Sequence, residues 1–262
     1  MTDLIRGALL WALAGTAAAA GGGGPLFTTQ VDVSSKPLLQ EGAQTYFNYC
    51  AGCHSLKYLR YSRMAEDLGL PEDLVLNNFV FTGAKIGEPI TNAMPVDRGE
   101  QVGAATAWFG KSPPDLSLVA RSRGTSWVYS YLLSFYPDPA RPLGWNNAQF
   151  PGASMPHVLW QLQGVQQAEF HDKEKQGDIE LPCAHGPEID GKCFTGFSPA
   201  TGGSLQPEQY ADTMRALVSF LEYAGEPAIL KREQYGVWVL LYLVVLSLLA
   251  WLLKREYWKD VH

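Results

Sequence analysis

Cys50-Ala51-Gly52-Cys53-His54 places two thiols and an imidazole at a spacing that suits one chemistry. In a C-x-x-C-H segment each thiol adds across one vinyl group of a haem, giving two thioether links, and the adjacent histidine becomes the proximal iron ligand. The competing readings are a redox dithiol and a coincidence of composition. With 4 cysteines and 5 histidines in 262 residues, the pattern arises by chance in roughly one such chain in a thousand. The segment is therefore read as the attachment site of one covalent c-type haem, with His54 as an axial ligand.

An iron held by His54 has one axial position left, and the methionines are the first candidates. Met1 belongs to a leader segment. Met64 stands only ten residues past His54, too close to reach the opposite haem face. Met214 falls in an apolar stripe, where methionine is usually filler. Met94 and Met155 both precede proline in loop-like sequence, and Pro156 holds Met155 toward extended backbone. The residues alone leave Met155 and Met94 both open, with His157, His171 and His185 as weaker rivals. Thioether ligation raises the haem potential and fills the sixth site, which favours electron transfer over ligand binding.

The ends of the chain say where such a haem would sit. Arg6, the apolar run Ala8 to Ala18 and the small residues Ala17 to Ala20 read as a secretory signal cleaved near Ala20. Gly236 to Leu253 carries no charge over 18 residues, which as a helix covers about 27 Å, close to the bilayer core. Tyr235, Trp238 and Tyr242 flank one end and Trp251, Tyr257 and Trp258 the other, as interfacial aromatics do. The expected organisation is a signal over 1–20, a periplasmic haem domain over 21–230, and an anchor with a short cytoplasmic tail over 231–262. The protein would be a single-pass one of the bacterial inner membrane. A net charge of −6 argues against a nucleic-acid partner and permits docking of a basic protein.

The elements that must position the site read as mainly helical. Helices are expected over Gln40 to Tyr49, running into the haem motif, then over Ser55 to Met64 and Pro71 to Phe81. Gly83 to Pro95 and Pro137 to Pro156 read as irregular, and Ser126 to Phe135 as an apolar aromatic segment. Pro207 to Ala224 is the clearest amphipathic helix, with Tyr210, Met214, Leu217, Val218 and Leu221 on one stripe, Ser204 as its cap and Gly225 with Pro227 as its stop. Cys183 and Cys193 remain. In an oxidising compartment two spare thiols pair, and this pairing is expected over a Cys/His metal site with His185. Glu66, Asp67, Glu72 and Asp73 form an acidic cluster that could steer a basic electron acceptor or simply be solvated helix surface.

Several segments in order resemble the cytochrome c1 family, the c-haem subunits of cytochrome bc1 complexes, in its bacterial form. They are Tyr49 to Tyr58 around the haem motif, Pro113-Pro114-Asp115-Leu116-Ser117 with Arg121-Ser122-Arg123-Gly124, Phe150 to Pro156, Tyr223 to Pro227, and the single C-terminal span. The resemblance implies a cytochrome c-like haem domain with long irregular insertions, and Met155 as the sixth ligand. It implies that Arg123, with Arg121, meets a haem propionate, and that Pro113 and Pro114 pack on the His54 side. This chain is shorter than mitochondrial members between Arg123 and Trp127, so Trp127 stands where a tyrosine–propionate contact is expected. The Cys183–Cys193 segment resembles a lineage-specific insertion. The implied function is electron transfer from a Rieske iron–sulfur protein to cytochrome c, in a quinol–cytochrome c oxidoreductase that also contains cytochrome b. The alternatives are a membrane-anchored cytochrome c that serves a terminal oxidase directly and a ligand-binding haem sensor.

Overall fold

A computed structural model of the chain describes residues 24–94, 103–176, 179–183 and 186–259. The expected signal over 1–20 and His185 lie outside the described residues. In chain order the elements are α1 (Lys36–Tyr49), β1 (Leu56–Arg60), α2 (Tyr61–Leu68), α3 (Glu72–Asn78), β2 (Pro89–Ile90), α4 (Ala104–Phe109), α5 (Val119–Arg123) and α6 (Thr125–Leu133). They continue with β3 (Phe135–Pro137), β4 (Trp145–Asn147), α7 (Trp160–Gln163), β5 (Ala168–Asp172), β6 (Lys175–Gln176), β7 (Ile179–Glu180), β8 (Glu188–Ile189), β9 (Lys192–Phe197), α8 (Pro207–Gly225) and α9 (Ile229–Tyr257).

The core is built on the crossing of α1 and α8. Both helices carry proline in the first turn, where its missing N–H costs no intrahelical bond. Leu39, Ala43, Tyr46 and Phe47 of α1 and Tyr210, Met214, Leu217, Phe220 and Leu221 of α8 are buried in one cluster. Gly42 is the point of closest approach: a Cβ built on it falls 2.7 Å from Phe220 Cβ and closer still to the Ala216 carbonyl. A glycine whose absent side chain lets two backbones meet fixes the crossing, and α1 then runs directly into Cys50.

The expected helix over Ser55 to Met64 is not one element. Leu56 to Arg60 is a strand paired with β2, and the helix starts at Tyr61. Leu56 and Leu59 are buried, while the Lys57 and Tyr58 N–H groups donate to the side chains of Asp115 and Ser117. Those partners lie far along the chain and outweigh local helix preference. Ser204 does not cap α8. Gln206 occupies that position, its N–H donating to Gln209 Oε1 at 3.0 Å.

Short antiparallel pairings form, β3 with β4 (the latter inside the stretch expected to be irregular), β6 with β7, and a sheet in the order β5-β9-β8. The sheet has its own small core of Tyr136, Ala148, Ile189 and Phe194, and Cys183 is disulfide-bonded to Cys193 of β9. The segment before α1 straps across α6. Phe27 and Thr29 N–H donate to Ser130 Oγ (2.8 Å) and Ser126 Oγ (3.2 Å), and Leu26 N–H to Gln149 Oε1 (2.9 Å). Helix α9 leaves this body. Its Tyr235–Tyr257 stretch contains an 18-residue window with a mean hydropathy of 2.5 that buries nothing against the rest of the described chain. At 23 residues it measures about 34 Å, enough to cross a bilayer.

Candidate functional site

The C-x-x-C-H segment continues the end of α1 as a single turn. Cys53 and His54 N–H both donate to the Cys50 carbonyl, at 3.0 and 2.9 Å. The turn is gripped from two sides: the Tyr46 hydroxyl donates to the His54 carbonyl at 2.6 Å, and Asn92 Nδ2 donates to the Cys53 carbonyl. Cys50 and Cys53 form no disulfide. Burial, with Cys53 beside it, pushes the Cys50 thiol up to about 12, and burial also raises Cys53, so neither behaves as a thiolate of the redox-dithiol kind.

His54 Nδ1 lies 2.7 Å from the Pro114 carbonyl. A carbonyl only accepts, so Nδ1 carries the proton and the Nε2 lone pair is left for a metal. Burial lowers the His54 pKa, with the Pro114 carbonyl and Asp115 opposing, and so favours the neutral ring that a metal needs. The Pro113-Pro114-Asp115 segment is itself tied down beside the motif. Leu116 N–H donates to the Ser55 carbonyl at 2.9 Å, and Asp115 accepts from Lys57 N–H (3.1 Å) and Ser117 N–H (2.8 Å). Of the two prolines, Pro114 meets the His54 ring, through its backbone carbonyl.

A second group of residues assembles along one face of α6. Arg123 lies over the Trp127 ring at 4.9 Å, and Trp127 stacks on Tyr131 at 5.5 Å. Tyr131 meets Phe135 edge-on, and Phe135 stacks on His157 at 5.0 Å. Trp127 and Tyr131 stand four residues apart on α6, one turn, and Arg123 at the end of α5 and Phe135 at the start of β3 extend the row at either end. Phe150 reaches the same ladder, edge-on to Trp127 and 6.0 Å from Arg123. The loop that contains half-buried Met155 therefore meets this ladder at both ends, Phe150 at Trp127 and His157 at Phe135. Burial pushes the His157 imidazole down to about 4, so it is neutral at physiological pH. Met94 is half-buried and ends a described stretch, His171 is exposed on β5, and Met64 and Met214 are fully buried in the core.

Two expectations need correcting. Asp67 is not part of an exposed acidic patch. It is buried, pairs with Arg63 at 2.5 Å and accepts from the Tyr223 hydroxyl at 2.9 Å, and only Glu66, Glu72 and Asp73 of the four face solvent. Arg121 is engaged by Glu226, which also holds Arg232 at the start of α9, so it serves the junction with the long helix and leaves Arg123 as the guanidinium beside the aromatic ladder. Sequence reasoning missed Asn92, and Asn146 and Asn147 of β4. Their partners lie across folded loops, and no periodicity marks them. Among the described residues no cluster of three or more His, Cys, Asp or Glu is arranged to hold a metal ion. Two unbonded thiols and a pre-oriented imidazole within one turn fit a covalently attached haem.

The chain matches the Cytochrome C1 family over residues 27–178 and 202–261. Residues 179–201, which contain the disulfide, fall between the two matched stretches. It is 46% identical over 244 residues to the cytochrome c1 of Allochromatium vinosum, covering 93% of each chain. It is 35% identical over 239 residues to the ammonia monooxygenase gamma subunit of Nitrosomonas europaea, covering 88% of this chain and 87% of that one. It is 28% identical over 243 residues to the cytochrome c1 of Rhodospirillum rubrum, covering 86% and 82%.

Proposed function

We propose a function from one premise: the chain belongs to the cytochrome c1 family. As a member it carries a covalently attached c-type haem and is the haem subunit of a bc1 complex, transferring electrons to cytochrome c. It is a component of an oxidoreductase and is anchored in the membrane.

The finer reading assigns the residues. Cys50 and Cys53 would hold the haem through thioether links, and His54 Nε2 and Met155 would ligate its iron. When bound, the haem supplies a one-electron couple between ferric and ferrous iron. His54 is held in the ligating tautomer by the Pro114 carbonyl, and Asp115 holds that carbonyl in place by taking the N–H groups of Lys57 and Ser117. Arg123 neutralises a propionate, oriented by its seat on Trp127. A buried carboxylate needs such a partner. Rieske protein and cytochrome b are the immediate partners, and Glu66, Glu72 and Asp73 face the acceptor. The haem domain lies on the periplasmic side of the inner membrane and the tail past Lys254 in the cytoplasm.

The observation that carries this reading is the His54–Pro114 hydrogen bond inside an intact C-x-x-C-H turn. The test is Met155→Ala in the membrane-bound protein. The variant should bind carbon monoxide readily when reduced, where the parent does not. Equal carbon monoxide binding by both contradicts the assignment of Met155. The Nitrosomonas relative favours a second reading in which the same haem chain serves a monooxygenase. Co-purification separates them: a b-type haem and an iron–sulfur protein support the first, and an ammonia-oxidising activity the second.

A further inference from the structure

We propose that Asn146 and Asn147 are positioning residues that pre-organise the loop presenting Met155, holding it in ligating position before and after each electron transfer. The proposal rests on the reading of Met155 as the sixth ligand. Both asparagines are completely buried. An amide buried without partners is costly, so an amide placed there must be fully bonded. Each of these is bonded through both its oxygen and its amino group, and each uses its oxygen on the same loop.

Asn146 Oδ1 accepts the Asn147 and Gly152 N–H groups, both at 2.9 Å. Asn147 Oδ1 accepts the Gln149 and Phe150 N–H groups, both at 3.0 Å. Four backbone N–H groups between Asn147 and Gly152 are thus gathered onto two side-chain oxygens. Their amino groups bond elsewhere, one in the β3–β4 connection and one at the end of α6. Asn146 Nδ2 donates to Asp138 Oδ2 at 2.9 Å, and Asn147 Nδ2 donates to the Tyr131 carbonyl at 2.8 Å. The Tyr131 carbonyl lies in the last turn of α6, where it also accepts the Ser134 N–H at 3.3 Å. The helix that carries Arg123's aromatic seat and the loop that carries Met155 are therefore joined through one amide.

The far side of Met155 is pinned as well. His157 is clamped between the Phe135 face (5.0 Å, interplanar angle 7°) and the Trp145 edge (5.1 Å). Phe135 pairs with Asn147, and Trp145 precedes Asn146, so both ends of the loop close on the same β3–β4 pair. Met155 itself lies three residues past Gly152 and two before His157, in a span too short to stray once both ends are held.

The experiment uses the full-length haem-loaded protein in its membrane. It reads the near-infrared charge-transfer band of Met-ligated ferric haem and the carbon monoxide affinity of the reduced form. Asn147→Ala should weaken the band and raise the affinity at least about tenfold, equivalent to ~1.4 kcal/mol, the scale of one net hydrogen bond. Asn147→Asp, which keeps the acceptor oxygen, should lie closer to the parent in both readouts. A residue that only stabilised the fold would lower the melting temperature and leave band and affinity of the loaded protein unchanged. Met155→Ala is the reference. If it alters neither readout, the ligand assignment fails and the proposal with it. If it alters both and Asn147→Ala alters neither, the positioning role alone is overturned. Where Asn147→Ala does not load haem, Asn146→Ser reads the same question through the Gly152 anchor, and an unchanged band and affinity there overturn it equally.

Discussion

Gly42→Ala tests the crossing on which the haem turn depends. In an isolated helix the change would help, since alanine is the better helix former by about 0.5–1 kcal/mol. In this fold the new Cβ falls 2.7 Å from Phe220 Cβ and from the Ala216 carbonyl carbon, and closer to its oxygen. Neither neighbour is the free end of a flexible side chain, so α1 and α8 must separate. Overpacking of this kind costs about 1–3 kcal/mol before the core opens further. With the propensity gain subtracted, a net loss of about 1–2 kcal/mol is expected, or roughly 2–8 °C in melting temperature for a domain of this size. Differential scanning of the detergent-solubilised, haem-loaded protein measures it. Gly87→Ala, where nothing lies within 4 Å, is the control. A melting temperature for Gly42→Ala equal to or above the parent's refutes the close crossing.

Tyr223→Phe removes the hydroxyl that donates to buried Asp67 and should cost about 1–3 kcal/mol, read by thermal unfolding, with no change in the haem spectrum. Cys183→Ser with Cys193→Ser releases a ten-residue closure worth roughly 2–3 kcal/mol in the chain-entropy model, and proteolysis should then cut first within 179–201. Neutralising Glu66, Glu72 and Asp73 together should slow reduction of a basic cytochrome c several-fold at low salt and flatten its salt dependence. An unchanged salt dependence removes these residues from docking. Asp67→Asn should instead destabilise the fold, because Arg63 then loses its carboxylate.

The haem turn was legible because it is local: five adjacent residues carry both thiols and the imidazole. Helices α1 and α8 were legible for the same reason, since their apolar stripes repeat at helical spacing. Strand β1 was not. Its N–H groups are satisfied by Asp115 and Ser117, some sixty residues away, and no local pattern announces that. Asp67 was misplaced because a carboxylate beside Glu66 looks like surface until Tyr223 and Arg63 are seen to enclose it. Arg121 and Arg123 stand two apart on a short helix, and nothing in their order says that one turns to Glu226 and the other to Trp127. The Asn146–Asn147 pair lay in a stretch rich in Gly, Pro and Asn that reads as irregular. The pair lies in strand β4, and its side-chain amides hold the irregular loop that follows.

The central claim is that this chain holds the c-type haem between quinol oxidation and cytochrome c. The most direct measurement is a quinol-reduced minus oxidised spectrum of the protein purified in mild detergent with its partners. The account predicts a c-type α-band that rises on quinol addition, accompanied by b-type haem, and that is discharged by ferric cytochrome c. A c-type band that quinol leaves oxidised, in a preparation that contains b-type haem and an iron–sulfur protein, would contradict it.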